Sequence, residues 1–347
     1  MKASFQKYTL DFKKPSGTSR GILQQKETWF LILKNNNKFG IGECGMFRGL
    51  SVDDRPDFEE KLKWVCSNIH LGKEKLYNEL IEFPAIQFGV EMAFKSIESH
   101  DSFELFPSEF TQNEKAIPIN GLIWMGDKRF MKEQILDKIK QGFHCIKMKI
   151  GAIDFSTELE LLKSIRKEFS ASDIELRVDA NGAFNPSEAL EKLKRLSDFQ
   201  LHSIEQPIKQ GQWNKMAQLC EHSPLDIALD EELIGVLFEE KKIDLLDCIN
   251  PQYIILKPTL IGGFLGSDQW IKHAENKNIG WWITSALESN VGLNAISQYT
   301  FTKNSTLPQG LGTGGLFTNN LPSPLEVCNG ALSYDTNKKW NLENLNN

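Results

Sequence analysis

Cys145-Ile146-Lys147-Met148-Lys149-Ile150-Gly151 alternates apolar and charged side chains. This is the period-two pattern of a strand, with Lys147 and Lys149 on one face and Ile146, Met148 and Ile150 on the other. Two lysines on one face of an otherwise apolar strand are costly to bury without anionic partners. The downstream sequence supplies them at regular intervals. Leu176-Arg177-Val178-Asp179-Ala180-Asn181 ends a strand at Asp179, and His202-Ser203-Ile204-Glu205-Gln206-Pro207 ends the next at Glu205. Ile227-Ala228-Leu229-Asp230-Glu231 ends another at Asp230, and Tyr253-Ile254-Ile255-Leu256-Lys257-Pro258 another at Lys257. From 149 to 179, 205, 230 and 257 the steps are 30, 26, 25 and 27 residues. Each step is one strand–helix unit of a (β/α) barrel, which spends about 250 residues on eight units. Five charged residues thus fall at the carboxyl ends of five successive strands, the face on which such barrels carry their chemistry.

Working outward, the alternation predicts strands at 116–123, 145–150, 174–180, 200–205, 225–230, 252–257 and 280–285, with a weak eighth near 308–312. Helices are expected at 128–141, 156–169, 186–197, 212–222, 236–246, 264–276 and 291–300. Ahead of this α/β barrel, residues 1–110 read as a separate α+β domain. Strands at 2–12, 27–34 and 39–44 belong to an antiparallel sheet, and helices follow at 56–70 and 84–101, with Pro84 suited to a first turn. Lys13 to Lys26 is expected to be a long, mobile, polar loop and Gly45 to Asp54 a second loop. The barrel is assigned to 111–310, and the Gly-, Pro- and Asn-rich segment 311–347 is expected to run back over the first domain.

The 347 residues, 40% hydrophobic and 25% charged, suffice for one barrel and a smaller domain of a soluble globular protein. A net charge of −6 gives no electrostatic reason to expect nucleic acid. The six cysteines are scattered with no CxxC, as for reduced thiols used in packing. No signal-peptide core or bilayer-spanning run is visible, so a cytoplasmic protein without a membrane partner is expected.

Asp179, Glu205 and Asp230 would converge from three adjacent strands. Three carboxylates that close repel by about 4 kcal/mol per pair at 4 Å with an effective dielectric near 20. A divalent cation removes the conflict. An all-oxygen site with open positions suits Mg²⁺ or Mn²⁺, and the lack of His or Cys argues against zinc. Lys149 and Lys257 would face each other across that ion. Lys147 and the cation would lower the pKa of Lys149, making it able to take a proton from carbon. The ion would bind a substrate carboxylate and hold the charge that develops when the α-proton leaves. Asn181 and Arg177 share the inward face with Asp179. Asn181 would support the ligands by hydrogen bonding, and Arg177, deeper, would orient the lysine pair or the carboxylates.

Each part has a plainer reading. A lone KxK is commonly a solvated edge, a strand-end Asp is commonly the N-cap of the next helix, and Asp230-Glu231-Glu232 could be a solvated charge run. The ordered set of Lys, Asp, Glu, Asp and Lys, one per consecutive strand and all at one end, favours the functional reading.

These residues resemble the enolase superfamily, in its muconate-cycloisomerase-like branch. The motifs are KxK (Lys147, Lys149), DxN (Asp179, Asn181), Glu205 in IEQP, Asp230 in LDEE and Lys257 in LKP, and Gly40-Ile41-Gly42-Glu43 resembles the family's GxGE. The resemblance implies a (β/α)7β TIM-like barrel with an α+β capping domain built from both termini, and Mg²⁺ on Asp179, Glu205 and Asp230. Within the branch, Ser285-Ala286-Leu287-Glu288-Ser289-Asn290-Val291-Gly292-Leu293 and Gly310-Leu311-Gly312-Thr313-Gly314 are similar to segments of the o-succinylbenzoate synthase family, departing from its pattern at Asn290. That likeness implies syn-dehydration of 2-succinyl-6-hydroxy-2,4-cyclohexadiene-1-carboxylate in menaquinone biosynthesis. Lys149 would act as base and then acid, a metal-held enediolate would form, and Lys257 would stay cationic beside it. Ser285 and Ser289, and Arg20 and Arg48 from the two loops, are the candidates to touch substrate. No acidic residue lies between Gly310 and Phe317, unlike the dipeptide epimerases of the branch. N-acylamino-acid racemisation, with the two lysines as opposed bases, and muconate-type cycloisomerisation are the enzymatic alternatives. A non-catalytic scaffold binding a small carboxylate is the other class, and it has no use for three clustered carboxylates. The expected partner is a small-molecule carboxylate, with monomer and homo-oligomer both open.

Overall fold

Hydrogen bonding separates an N-terminal antiparallel sheet from a long parallel one. The computed structural model describes residues 1–18, 21–124 and 126–345. The first sheet has the order β1 (Lys2–Thr18), β2 (Gly21–Asn35), β3 (Lys38–Cys44). The mobile loop expected over Lys13–Lys26 is instead mostly strand. Pairing resumes at Ser16–Leu23 and Thr18–Gly21 after a register shift from Asp11–Gln25. The shift leaves Pro15 outside the ladder, where its missing N–H costs nothing. Residues 13–15, 21, 22, 24 and 25 are exposed, so no buried face marks this stretch as strand in sequence. Arg20 lies outside the described residues.

Three helices follow: α1 (Phe58–Ser67), α2 (Lys73–Glu79), which the sequence reading did not anticipate, and α3 (Pro84–Glu98). Helix α3 is buried on nearly all sides. Phe58, Leu62, Ile86, Val90 and Phe94 pack with Trp29, Leu31 and Leu33 of the sheet in one core. Strand β3 and α3 touch backbone to backbone. A Cβ at Gly42 would stand 1.9 Å from the carbonyl oxygen of Gly89, which is why the Gly-x-Gly spacing is needed here.

The second part begins with β4 (Ile117–Pro118), β5 (Gly121–Ile123), α4 (Lys128–Lys140) and β6 (Cys145–Lys149). It continues through α5 (Phe155–Glu168), β7 (Glu175–Asp179), α6 (Pro186–Ser197), β8 (Ser203–Glu205) and α7 (Trp213–His222). Then come β9 (Ile227–Leu229), α8 (Glu239–Ile249), β10 (Tyr253–Leu256), α9 (Gly263–Glu275), β11 (Gly280–Ile283) and α10 (Asn290–Thr302). Strands β5 to β11 form one parallel sheet in chain order. The weak eighth strand is reduced to two bridges, Ile119–Gln309 and Thr284–Gly310, which close the sheet into a barrel. Gly310 approaches β11 so closely that a Cβ would lie 2.0 Å from Thr284 Oγ1.

Apolar side chains of β6 to β10 point outward to the helices, while Ala228, Ile255 and Trp282 pack with Tyr253 and Leu307 inside the barrel. The chain leaves the barrel along the first sheet, where Phe12 pairs with Phe317 and the Tyr8 hydroxyl donates to the Asn319 carbonyl at 2.7 Å. It returns as β12 (Leu325–Cys328) and β13 (Ala331–Tyr334), with β13 paired to β4.

Candidate active site

Parallel register decides which side chains meet. Lys147 is opposite Arg177, and Lys149 is opposite Asp179, which is opposite Glu205. Residues in register on parallel strands share a face, so the charges at the carboxyl ends of β6, β7 and β8 stand side by side inside the barrel. None of the carboxylates caps an α-helix, and Asp230, at the start of the 3-10 turn Glu231–Leu233, makes no side-chain cap bond. Helix α6 is capped by Asn185, whose Oδ1 accepts from Ser187 N at 3.1 Å, and α7 and α8 follow Gln212 and Phe238. Asn181 (φ +43°), two residues after Asp179, and Gln206 (φ +38°), directly after Glu205, turn the chain. These are left-handed conformations that cost energy outside glycine and cluster at functional sites.

Asp179, Glu205 and Asp230 are all buried, and one oxygen from each lies within 4.8 Å of the others. Lysines compensate them. Lys147 donates to Glu205 and lies 3.0 Å from Asp179 Oδ2, and Lys149 donates to Asp179 Oδ2 at 3.2 Å and Asn181 Oδ1 at 2.5 Å. On the opposite edge, Lys257 donates to Asp230 Oδ2 at 2.5 Å. Burial disfavours the Lys147 ammonium, but Asp179, Glu205 and Asp230 outweigh it and raise its pKa above the ordinary lysine value. Lys257 is likewise raised, with burial opposed by Asp230. Asp179 is held below the usual carboxylate range because Lys147 and Lys149 overcome its burial. Glu205 is pushed up to about 7, chiefly by burial. Among the described residues, Glu205 Oε1 and Asp230 Oδ1 are buried without a hydrogen-bond partner. Two such oxygens in an all-carboxylate group fit a hard divalent cation.

One cavity of about 490 Å³ is lined by Lys147, Lys149, Asp179, Asp230 and Lys257, with Phe47 and Leu50 from the first domain and Ser285, Leu287 and Thr313 from the barrel's later loops. Asn181 joins the site as expected from its face. Its Nδ2 donates to Glu231 Oε1 at 3.0 Å while its Oδ1 receives Lys149. Glu231 also lines the cavity and is buried, as is Glu232. The solvated reading of that acidic run therefore fails, and the apolar residues on both sides, Ile227–Leu229 and Leu233–Ile234, were the signal in sequence.

Several expectations are corrected. Arg177 is fully buried two residues deeper than Asp179. Its Nε donates to Glu175 at 2.7 Å, its Nη1 to the Pro308 carbonyl at 3.0 Å, and its guanidinium lies 4.3 Å from the Trp282 ring centroid. Among the described residues it bonds neither the lysines nor the three carboxylates. Ser289 is also fully buried, away from the cavity lining, and donates to Glu43 Oε2 at 2.5 Å. Arg48 pairs with Glu27 at 2.8 Å and Asp54 at 2.7 Å and does not line the cavity. Ser285 does line it, with its Oγ 2.6 Å from Thr313 Oγ1. Trp124, Glu231 and Thr313 are lining residues that sequence reading missed.

The profile of the enolase C-terminal domain-like family matches residues 131–338. The chain is 48% identical to an o-succinylbenzoate synthase of Desulfotalea psychrophila, over 96% of this chain and 98% of that one. It is 24% identical to an o-succinylbenzoate synthase of Bacillus subtilis over 84% of this chain and 81% of the other. Among solved structures, MenC from Desulfotalea psychrophila aligns with a TM-score of 0.86 and 45% identity, covering 96% and 99% of the two chains. A muconate lactonizing enzyme from Pseudomonas fluorescens, at 20% identity and a TM-score of 0.85 over 99% and 97%, shares the fold.

Proposed function

The chain belongs to the enolase C-terminal domain-like family, and from that premise we propose that it catalyses the o-succinylbenzoate synthase reaction of menaquinone biosynthesis. This is the dehydration of 2-succinyl-6-hydroxy-2,4-cyclohexadiene-1-carboxylate to 2-succinylbenzoate. The observation that carries the reading is the cavity in which Lys149 and Lys257 face opposite edges of the Asp179–Glu205–Asp230 group. Residues 1–110 and the segment after 310 act as the cap over a barrel spanning 111–310. Among the described residues no helix is long and apolar enough to cross a membrane, and a cytoplasmic site of action is part of the proposal.

Asp179, Glu205 and Asp230 would hold Mg²⁺, which when bound supplies positive charge beside the substrate carboxylate as its α-carbon loses a proton. Lys149 Nζ receives that proton. Asn181 and Asp179 accept hydrogen bonds from the same nitrogen and so fix its direction. Lys147, held between Asp179 and Glu205, keeps a second positive charge beside it. Lys257, kept cationic by Asp230, stabilises the anionic ring from the other side. The ring carbon–oxygen bond then breaks, Lys149 returns its proton to the departing hydroxyl, and water leaves as the ring becomes aromatic. Phe47 and Leu50 cover the cavity and limit water.

The test is ultraviolet detection of aromatisation by the purified protein with Mg²⁺ and then with excess EDTA. Turnover that EDTA abolishes is expected, and metal-replete protein without turnover would overturn the reading. The lysines on opposite edges also suit racemisation of an N-acylamino acid. Deuterium exchange into both enantiomers of an N-succinylamino acid would show that activity.

A further inference from the structure

A proton leaves carbon toward an unshared electron pair, so the base must aim its lone pair at the substrate. The Lys149 nitrogen is tetrahedral. One direction is its bond to Cε, and two point at acceptors, Asp179 Oδ2 at 3.2 Å and Asn181 Oδ1 at 2.5 Å. Each acceptor takes one N–H. The remaining direction is left for the lone pair of the neutral amine, or for the proton it has gained. This holds only while both partners present oxygen. A carboxylate does so whichever way it turns. An amide does not, because its NH₂ end only donates. Turned toward Lys149, that end would engage the lone pair itself.

Glu231 decides which end of the Asn181 amide meets Lys149. Asn181 Nδ2 donates to Glu231 Oε1 at 3.0 Å, on the far side of the amide from the lysine. A carboxylate only accepts, so the amide must keep its nitrogen on Glu231 and its oxygen on Lys149. The Asn181 main chain is held as well. It takes the left-handed conformation, and its N donates to Asp179 Oδ1 at 2.9 Å. The hinge on which the side chain could turn is thereby fixed, and the Glu231 bond fixes the turn itself.

Glu231 stands on a stiff mount. It is buried and opens the 3-10 turn Glu231–Leu233. On either side of it, Asp230 N and Glu232 N both donate to Gln206 Oε1 at 3.2 Å, and Gln206 Nε2 donates to Glu232 Oε2 at 2.9 Å. The turn is thus tied to the end of β8, and Glu231 spans from it to β7 through Asn181. Glu231 lines the same cavity as Lys149 and is not one of the three carboxylates grouped for a cation among the described residues.

We propose that Glu231 is a positioning residue for the proton transfer, acting through Asn181 to keep the amide oxygen on Lys149 and the lysine's lone pair free for the substrate. This rests on the dehydration reading above. The role needs an acceptor oxygen at that place and does not need its charge, which separates it from a general electrostatic effect of one more carboxylate near the cation.

The experiment compares wild type, Glu231→Leu, Glu231→Gln, Asn181→Ala and the double variant Glu231→Leu/Asn181→Ala. Turnover of the cyclohexadiene acid is measured over a range of Mg²⁺ concentrations, with calorimetric binding of the product 2-succinylbenzoate. Glu231→Leu should lower kcat by about 10²-fold, the scale for a reacting group misplaced by about 1 Å, with KM and product affinity held. Glu231→Gln loses the same charge but keeps an acceptor, and should recover about tenfold of that loss. The double variant should be no slower than the slower single variant, because both losses pass through one amide. With an active wild type, losses that multiply in the double variant would overturn the positioning role alone. Equal losses in the Leu and Gln variants would also overturn it, since they report the charge. So would a loss that more Mg²⁺ restores, which places Glu231 on the cation, and so would weakened product binding at unchanged kcat. A wild type without turnover would overturn the dehydration reading and the positioning role with it.

Discussion

Lys149 and Lys257 have similar surroundings, and the proposed reaction gives them different tasks. Lys149 donates to a carboxylate and to the Asn181 amide oxygen, so one of its partners is neutral, while Lys257 is bonded to the Asp230 carboxylate. In the proposed reaction Lys149 gives and takes the proton and Lys257 stays charged. We expect Lys149→Ala to lower turnover by about 10²–10⁴-fold, the usual contribution of a positioned acid–base group, with 2-succinylbenzoate still bound on calorimetry. Retained activity in that variant would remove Lys149 from the mechanism. At this scale the inward charges were legible because strand periodicity sets the face of each residue once the strand is recognised. Arg48 and Ser289 were not. A polar side chain on a loop meets whichever partner the fold brings to it: here Glu27 and Asp54 for Arg48, and Glu43 for Ser289.

Among the elements, the parallel strands from β6 to β11 and their helices were readable because each has a buried face of regular period. Two of the departures from the sequence reading have plain physical causes. The β1–β2 extension is exposed and shows no buried alternation, while the eighth strand alternates in burial over 309–313 but has glycines at its outward positions 310 and 312 and keeps only two bridges. The Gly45–Asp54 loop shows how an element's position couples to pH. Its Asp53 carboxyl is buried, accepts from Ala85 N at the start of α3 at 2.9 Å, and is pushed up from 3.8 to about 7 by burial. The unfolded chain loses this proton near pH 3.8 and the native protein keeps it to about 7. The native state therefore binds the extra proton across that window, and the contribution of Asp53 to stability falls as pH rises through it. Asp53→Asn abolishes this dependence. Its melting temperature relative to wild type should climb from about pH 4 to about pH 7.5, and a constant difference across that range would refute the assignment. Glu91, also raised to about 7 by burial, contributes to both proteins and cancels in the comparison.

For the whole molecule, the cavity has walls from both the first sheet's loop and the barrel, so activity depends on how the two dock. Glu43 holds them together. Fully buried on β3, it accepts from Thr28 Oγ1 at 2.8 Å within its own sheet. Across the boundary it accepts from Ser289 N at 2.9 Å, Ser289 Oγ at 2.5 Å and Gly292 N at 2.8 Å, at the start of α10. A buried carboxylate is tolerable only with such a set of donors, and the helix start supplies backbone N–H groups suited to an anion. Beside it, Lys26 is buried and donates to the Gly45 carbonyl at 3.2 Å, and Glu288 accepts from Thr259, so the start of the Phe47 loop rests on the strand end that follows Lys257. The Gly-x-Gly-Glu motif was legible as a family likeness. Its reason was not, because both the approach of Gly42 to α3 and the partner of Glu43 lie far away in sequence. Ser289→Ala removes one bond to this buried charge, together with the N-cap bond that Ser289 Oγ accepts from Val291 N at 3.1 Å, and leaves the two backbone donors. It should cost about 1.5–3 kcal/mol, the range for a hydrogen bond to a charged group. Urea denaturation followed by tryptophan fluorescence measures this as a lower midpoint with one transition, since Trp29 in the first domain and Trp270 and Trp282 in the barrel report on both sides of the boundary. Two separated transitions in the variant would mean that the other contacts cannot hold cap and barrel as one cooperative unit. An unchanged midpoint would mean that Glu43 gains nothing from the hydroxyl.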